Sequence, residues 1–425
     1  MLKYILLLCI TTVAALAEVH PLTLRQAVEL ALKENPDLIL SRLDQQKAQA
    51  AIRIAKDPFA PKLYAGSGLA KVWGYPTSIE GSAPSIIQTR TDMSLYNQPK
   101  RYELARVREA AHGAEIDTLS KSDQVAYQTA TLFLDAQQMG RSKQSLQLEL
   151  ESLQRVSGAI GVQVQEGRQL PIENKRVAVD LARATQRVAG LSGDLDYSEA
   201  SLAVVLGFSA DDRVQPVDEE RAVFEVPASE QAAMELALQN NKDIRKLESQ
   251  LQAKGFEVKE AEAARWPVID AVAQYELLAK TNYENFFTRF QRNNGELGVS
   301  IQIPLLTGSA AKGLASQAQT DILELRTQMG QLRNRIQLDT QKSYQELQKA
   351  MSAQELARLD LDYNREQVSV LLSQLGEGRS NQQQVDNARL TEQEKWIAFY
   401  DAQHLVENAR LELLKQTGTL LAALR

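Results

Sequence analysis

A single cysteine, Cys9, stands in 425 residues, so no intrachain disulfide can brace the fold. Glycine (21) and proline (12) are few for this length, which argues against a chain dominated by short strands and tight turns. Aromatic residues make up 6% of the chain. Positive charge is not in excess: 48 Lys and Arg face 54 Asp and Glu, and a formal net charge of -6 gives no basic surface for phosphates. After residue 20 no run offers the roughly 20 uninterrupted apolar residues of a membrane-spanning helix. No Gly-x-x-x-x-Gly-Lys loop, Gly-x-Ser-x-Gly elbow or cysteine nucleophile is present. The three histidines, His20, His112 and His404, do not recur at metal-ligand spacing and read as exposed helix or loop residues. No catalytic, cofactor-binding or metal-binding residue is therefore expected, and any energy for a process must come from a partner.

What is abundant is Ala, Leu, Gln, Glu and Arg, the composition of long helices. The N-terminus reads as a secretory signal over residues 1–17. Lys3 supplies the positive region, Tyr4 to Val13 the apolar core, and Ala15-Leu16-Ala17 the small-x-small site. Cys9 lies inside it.

The chain matches itself. At an offset of 206, Ala27 to Asp37 falls on Ala233 to Asp243 with seven of eleven positions identical, Pro61 falls on Pro267, and Ser94-Leu95 on Ser300-Ile301. At an offset of 211, Glu166-Gly167-Arg168 falls on Glu377-Gly378-Arg379, and Gly207 on Gly418. Two copies of one supersecondary unit are implied: residues 18–212 and 227–425, joined by a linker over 213–226.

Each copy has the same layout. Thr23 and Ser229 are expected N-caps of a short helix ending at Asn35 or Asn241, followed by a second helix to about Lys56 or Ala264. After Pro61 and Pro267 the periodicity changes to 2. Leu297, Val299, Ile301 and Ile303 alternate with Glu296, Gly298, Ser300 and Gln302. Ile269, Ala271, Ala273, Tyr275 and Leu277 alternate with Asp270, Gln274 and Glu276. β-Hairpins are expected over 62–97, with breaker-rich Gly74-Tyr75-Pro76 and Gly81 to Pro84 between the strands, and over 268–303. Strands of about ten residues suit either a soluble hairpin or a membrane wall. Four of them cannot close a barrel, so a wall requires several chains.

Long helical patterns follow from about Pro99 to Gln165 and Ser309 to Leu375, roughly 100 Å each at 1.5 Å per residue. Leu325, Met329, Leu332 and Ile336 repeat with coiled-coil spacing, as do Leu356, Leu359 and Tyr363. Both runs end at Glu-Gly-Arg, near 167 and 378, and helix resumes from Ile172 to Leu206 and from Gln382 to Gln416.

The order of these features, with Leu22 to Pro36 reading Leu-Thr-Leu-x-x-Ala-x-x-x-Ala-x-x-x-Asn-Pro, resembles the TolC-type outer-membrane efflux proteins. That resemblance implies a mostly α fold with β: long periplasmic helical hairpins in an α-barrel, and four strands per chain in a shared twelve-stranded outer-membrane β-barrel of a homotrimer. It implies an exit duct of an efflux or secretion system, energised by an inner-membrane transporter through a periplasmic adaptor protein. It further implies a gate in which Arg379 pairs with Glu173, with Asp386 and Gln383 at positions where relatives carry aspartates that ring the aperture, Gln383 being a departure. Leu375 stands where relatives often carry an aromatic residue. Gly167, Arg168, Gly378 and Arg379 fall at the tips where the adaptor docks. The alternative is a periplasmic coiled-coil adaptor or scaffold, suggested by the helical hairpins alone and opposed by the four alternating strands.

Overall fold

The computed structural model describes residues 18–68, 85–218, 224–278, 291–305 and 308–424. The expected signal segment 1–17, the breakers between residues 74 and 84, and part of the linker lie outside the described residues.

The first repeat begins with β1 (Val19–Leu22), then α1 (Leu24–Glu34) and α2 (Pro36–Lys56). Thr23 caps α1 as part of a capping box with Gln26, satisfying backbone donors that the helix leaves unpaired. After a short 3-10 turn come β2 (Lys62–Gly68), β3 (Ser85–Tyr96), α3 (Gln98–Gln165), α4 (Pro171–Val205) and β4 (Arg213–Pro216). The second repeat gives α5 (Glu230–Asn240), capped by Ser229, α6 (Lys242–Glu262), β5 (Val268–Leu278) and β6 (Asn293–Gln302). It continues with α7 (Ala310–Gly376), α8 (Gln382–Gln416) and the short α9 (Leu420–Ala423).

Contacts divide the chain into two units, and neither coincides with a repeat. One contains the described residues up to Leu40 with Ser120–Asn241 and those from Asn334 on; the other contains Ser41–Leu119 and Lys242–Arg333.

In the first unit Leu24, Val28 and Ala31 of α1 bury with Leu38 of α2. They join Val125, Phe133 and Leu134 of α3, Leu202 of α4 and Leu411 and Leu414 of α8 in one apolar cluster. The repeat is visible in two matching joints. The Asn35 amide donates to the Val205 carbonyl at 2.7 Å, and the Asn240 amide to the Thr417 carbonyl at 3.1 Å. Beside each joint a glycine at φ +87° (Gly207) or +69° (Gly418) lets two helix ends meet. A Cβ at Gly207 would lie 2.9 Å from the Glu34 carbonyl oxygen, and one at Gly418 2.8 Å from the Asn240 Cβ. β1 and β4 pair in parallel, Val19 opposite Arg213 to Leu22 opposite Pro216. Residues 213–216, expected to be linker, are thus a strand that ties the start of the first repeat to its end.

In the second unit the strands form one antiparallel sheet in the order β2-β3-β5-β6, so the two expected hairpins join edge to edge through β3 and β5. Register sorts the side chains, because residues directly opposite share a face. Lys62, Tyr64, Gln88, Arg90, Asp92, Ser94, Asp270, Gln274, Glu276, Glu296 and Ser300 stand on one face. Leu63, Ala65, Ile87, Met93, Ile269, Ala271, Ala273, Leu277, Leu297, Val299 and Ile301 stand on the other. The polar face is knit by Gln88 donating to Glu276 at 2.8 Å and by Arg90 pairing with Asp92 at 2.8 Å. The apolar face is open, with Leu297 89% and Leu63 74% exposed. Among the described residues β2 and β6 each pair on one side only. Helices of this unit are laced by polar contacts: Lys246 with Asp117 at 2.7 Å, Arg106 with Glu260 at 3.3 Å and Lys254 with Asp321 at 2.8 Å.

α7 corrects one expectation. Leu325, Met329 and Leu332 are partly covered and Ile336 is buried, as coiled-coil packing requires. Leu356, Leu359 and Tyr363, however, are 69%, 53% and 65% exposed. The packed stripe is instead Gln354, Ala357, Leu361, Asn364, Val368, Leu371 and Leu375, with alternating spacings of three and four. Its centre is polar: buried Asn364 donates to the Asp360 carbonyl at 2.7 Å. Among the described residues no helix is long and apolar enough to cross a membrane.

Candidate functional site: the helix reversals and the seam behind them

Both long helices reverse through the same backbone motif. At the first, Gly167 N–H donates to Val164 O at 3.1 Å and Arg168 N–H to Gln163 O at 2.8 Å. At the second, Gly378 N–H donates to Leu375 O at 3.1 Å and Arg379 N–H to Gln374 O at 2.8 Å. These bonds satisfy carbonyls that the helix end orphans, and they need a residue in the left-handed region, which Gly167 (φ +74°) and Gly378 (φ +71°) supply. Each tip projects an arginine that folds back on the glutamate two residues earlier: Arg168 to Glu166 at 3.3 Å and Arg379 to Glu377 at 3.1 Å, the arginines 75% and 77% exposed.

The helices after the tips start differently. α4 has Pro171 in its first turn and no side-chain bond from Leu170 at its cap. α8 starts from a full capping box, in which Asn381 accepts from Gln384 N–H at 2.9 Å and its own N–H donates to the Gln384 side chain at 3.1 Å. That cap was readable as Asn-x-x-Gln.

The gate residues gather near the tips without meeting. Glu173 lies in the first turn of α4 and its ion pair is with Arg176, at 3.9 Å. Arg379 is held by Glu377, and among the described residues no ion pair joins it to Glu173. Asp386 is half-buried and accepts from Gln382 at 2.9 Å, while Gln383 is exposed. Among the described residues no cluster of His, Cys, Asp and Glu could hold a metal ion.

Behind the first tip, α3 and α8 run antiparallel along a seam of polar rungs that sequence reading missed. Tyr127 reaches Glu412, and Lys415 sits 4.1 Å over the Tyr127 ring. Eight residues further along α3 and eight back along α8, Asp135 meets His404 at 2.9 Å; three more in each direction, Gln138 donates to Asp401. Burial, with the Glu412 hydrogen bond, pushes the Tyr127 hydroxyl up to about 12. Burial also pushes the Glu412 carboxyl up, but bonds from Gln416 and Tyr127 and the charge of Lys415 outweigh it and hold that carboxyl below its ordinary value. Towards the tip the rungs change character. Glu149 of α3 is buried, its Oε2 has no hydrogen-bond partner among the described residues, and Arg187 of α4 donates to its Oε1 at 3.5 Å. Burial raises the Glu149 carboxyl above its ordinary value, Arg187 opposes this, and the charge of Glu394 on α8 adds to it. His112 is exposed as expected, whereas His404 is enclosed in the seam with its ring 18% exposed.

The family model described as outer membrane efflux protein matches residues 233–419. The chain is 22% identical over 424 residues to the outer membrane efflux protein BepC of Brucella suis, covering 97% of this chain and 88% of the relative. Its fold is that of the Campylobacter jejuni CmeC outer membrane channel (TM-score 0.76, 14% identity, 93% of this chain and 86% of the other). It is also that of the Vibrio cholerae outer membrane protein VceC (TM-score 0.73, 15% identity, 93% and 96%). The TolC-type resemblance read from the sequence stands, and so does the mostly α fold with four strands per chain in one sheet.

Proposed function

We propose that this chain, a TolC-type outer-membrane efflux protein by sequence and fold, is the passive exit duct of a tripartite efflux or secretion system. An inner-membrane transporter would energise it through a periplasmic adaptor. The single observation that carries the reading is the four-stranded sheet, with one face apolar and exposed, the other lined by Arg90, Asp92, Glu276 and Glu296, and two edges unpaired among the described residues. In water such a sheet is an aggregation hazard; in lipid it cannot persist with open edges. Three copies joined β6 to β2 would remove every edge, turn the apolar face to lipid and enclose the polar face as a lumen. The exposed Leu356, Leu359 and Tyr363 of α7 supply apolar surface for the same association.

On this reading the tips form the periplasmic mouth and the adaptor docks on Gly167-Arg168 and Gly378-Arg379. Arg379 exchanges Glu377 for Glu173 of a neighbouring hairpin when the mouth closes. Exposed ion pairs contribute roughly 0 to 1 kcal/mol, so adaptor binding is enough to undo the latch. Three copies of Asp386 would favour cations at the constriction.

Fractionation tests the duct: heat-labile trimers released from the outer membrane only by detergent support it, and a monomer in the soluble periplasmic extract overturns it. For the latch, Arg379→Ala is expected to raise single-channel conductance in planar bilayers. An unchanged conductance counts against the pairing.

A further inference from the structure

The end of the sheet where strands meet helices is basic, in a chain that is acidic as a whole. Residues 53–62, 96–103, 259–266 and 304–312 join the four strands to α2, α3, α6 and α7. They carry eight Lys and Arg against four Asp and Glu, whereas the whole chain has a net charge of -6. Three of those carboxylates are already answered: Asp57 by Lys62, Glu103 by Lys100 at 2.6 Å and Glu260 by Arg106 at 3.3 Å. What is left over is mostly positive. Each strand end has an exposed Arg or Lys that pairs with no carboxylate among the described residues: Arg53 and Lys56 before β2, Arg101 after β3, Arg265 before β5 and Lys312 after β6. Arg265 bonds only the Glu262 carbonyl, at 3.3 Å, and Glu262 is the one carboxylate of these stretches without a cation among the described residues.

Aromatic rings share this level. A register shift between Ser94 and Tyr96 sets Tyr96 opposite Ile269, on the apolar face, where unbroken alternation would have sent it to the polar face with Asp92 and Ser94. Arg101 lies over that ring, 5.6 Å from its centroid, so an unpaired cation stands at the border of the apolar face. On the neighbouring strand Trp266, next in sequence to Arg265, is 48% exposed, and beyond β6 the apolar residues end with exposed Ile303 and Leu305. Apolar surface, then amphipathic rings, then cations is the order that a bilayer presents as acyl chains, interface and phosphates. An acidic protein partner would account for the cations alone, and not for the rings and the apolar face that lead up to them.

We propose that this collar at the foot of the sheet binds the headgroups of anionic phospholipids, in the leaflet from which the helices emerge. It rests on the duct reading above, which turns the apolar face to lipid, and adds a preference for lipid of one charge. Arg53, Arg101 and Arg265 offer planar, forked donors that match phosphate oxygens, and Lys56 and Lys312 add point charge. A zwitterionic lipid brings its own cation to compete for its phosphate, whereas phosphatidylglycerol brings none. Three chains closing the wall would set these cations in a ring around it, and anionic headgroups would relieve their mutual repulsion.

The test reads lipid contact at Trp266. Trp73 and Trp396 are changed to Phe, which leaves Trp266 as the one tryptophan. The full chain is placed in phosphatidylcholine vesicles containing a fixed fraction of acyl-brominated lipid, either phosphatidylglycerol or phosphatidylcholine. At low salt, brominated phosphatidylglycerol is expected to quench Trp266 as if bound about fivefold more strongly than brominated phosphatidylcholine, the effect of roughly one cation at a membrane surface. In about 0.5 M sodium chloride that ratio should fall below about two, because screening shortens the reach of the charges. In R53Q/K56Q/R101Q/R265Q/K312Q, which has no ion pair to lose, the ratio becomes one, and R53K/R101K/R265K keeps it. Inorganic phosphate matched in ionic strength to the chloride should change nothing further; a selective loss would mark a site for the free ion and overturn lipid as the occupant. A parental ratio of one overturns the collar and leaves the lipid-facing wall standing, and a ratio that survives the glutamine variant also overturns the collar. Absence of quenching by both lipids removes the collar and the duct together.

Discussion

α3 and α7 occupy the same place in the two repeats, 68 and 67 residues long, and the chain treats them oppositely. α3 is an interior helix: Phe133 and Leu134 are 1% exposed, and polar rungs bind it to α8. In α7 the position equivalent to Phe133 is Tyr344, only partly covered and donating to the Ala228 carbonyl at 3.3 Å, and further along Leu356, Leu359 and Tyr363 face outward. Duplication supplied two similar amphipathic helices, and the difference lies in which apolar stripe one chain covers by itself. Phe133→Ala should therefore cost about 3 to 5 kcal/mol of folding stability, the value for emptying an aromatic site in a packed core, seen as a large fall in the thermal midpoint. Leu359→Glu combined with Tyr363→Glu should leave the fold of one chain near parental stability and dissociate the proposed trimer, read by mass measurement in detergent. If the α7 pair unfolds the chain as Phe133→Ala does, the contrast between the helices is wrong.

The parts legible in the sequence are those whose signal is local. Alternation such as Leu297, Val299 and Ile301 between polar residues marks the strands, and Glu-Gly-Arg, present twice, marks both reversals. What escapes reading depends on distant partners. β1 and β4 are four residues each, contain Pro21 and Pro216, and pair in parallel across almost 200 positions, so no periodicity marks them. His404 reads as a solvated histidine until α3 brings Asp135 to it. The packed stripe of α7 is misread from sequence because Leu356, Leu359 and Tyr363 are more apolar than the Asn364 that lies in it, and spacing alone does not say which of two stripes faces inward. The Arg379–Glu173 pairing implied by the resemblance is not formed within the chain, where Arg379 pairs with Glu377 and Glu173 with Arg176.

Two left-handed glycines of the second repeat sharpen the comparison at smaller scale. Gly418 and Gly378 share a left-handed backbone, but a Cβ at Gly418 would press on Asn240 whereas one at Gly378 would meet open space. Gly418→Ala should cost about 3 kcal/mol, backbone strain plus displacement of the α5 end, and Gly378→Ala about 1 kcal/mol from strain alone. Chemical denaturation measures both. Equal losses would mean that the close approach at the joint contributes nothing.

The smallest effect separates the two tips. Asn381 begins α8 with a reciprocal capping box, whereas Leu170 begins α4 with no side-chain bond. Asn381→Ala removes an acceptor for the Gln384 N–H and should cost about 1 kcal/mol. Leu170→Asn supplies the missing acceptor to a helix already favoured by Pro171 at its start, and should stabilise the first turn by up to about the same amount. Amide hydrogen exchange confined to the opening turns reads this directly: protection at Gln384 and Val385 should fall about fivefold in the first variant, and protection at Glu173 and Asn174 should rise in the second. The two substitutions move opposite tips in opposite directions, so a change that appears at both tips in either variant would show that the reversals are coupled rather than capped one by one.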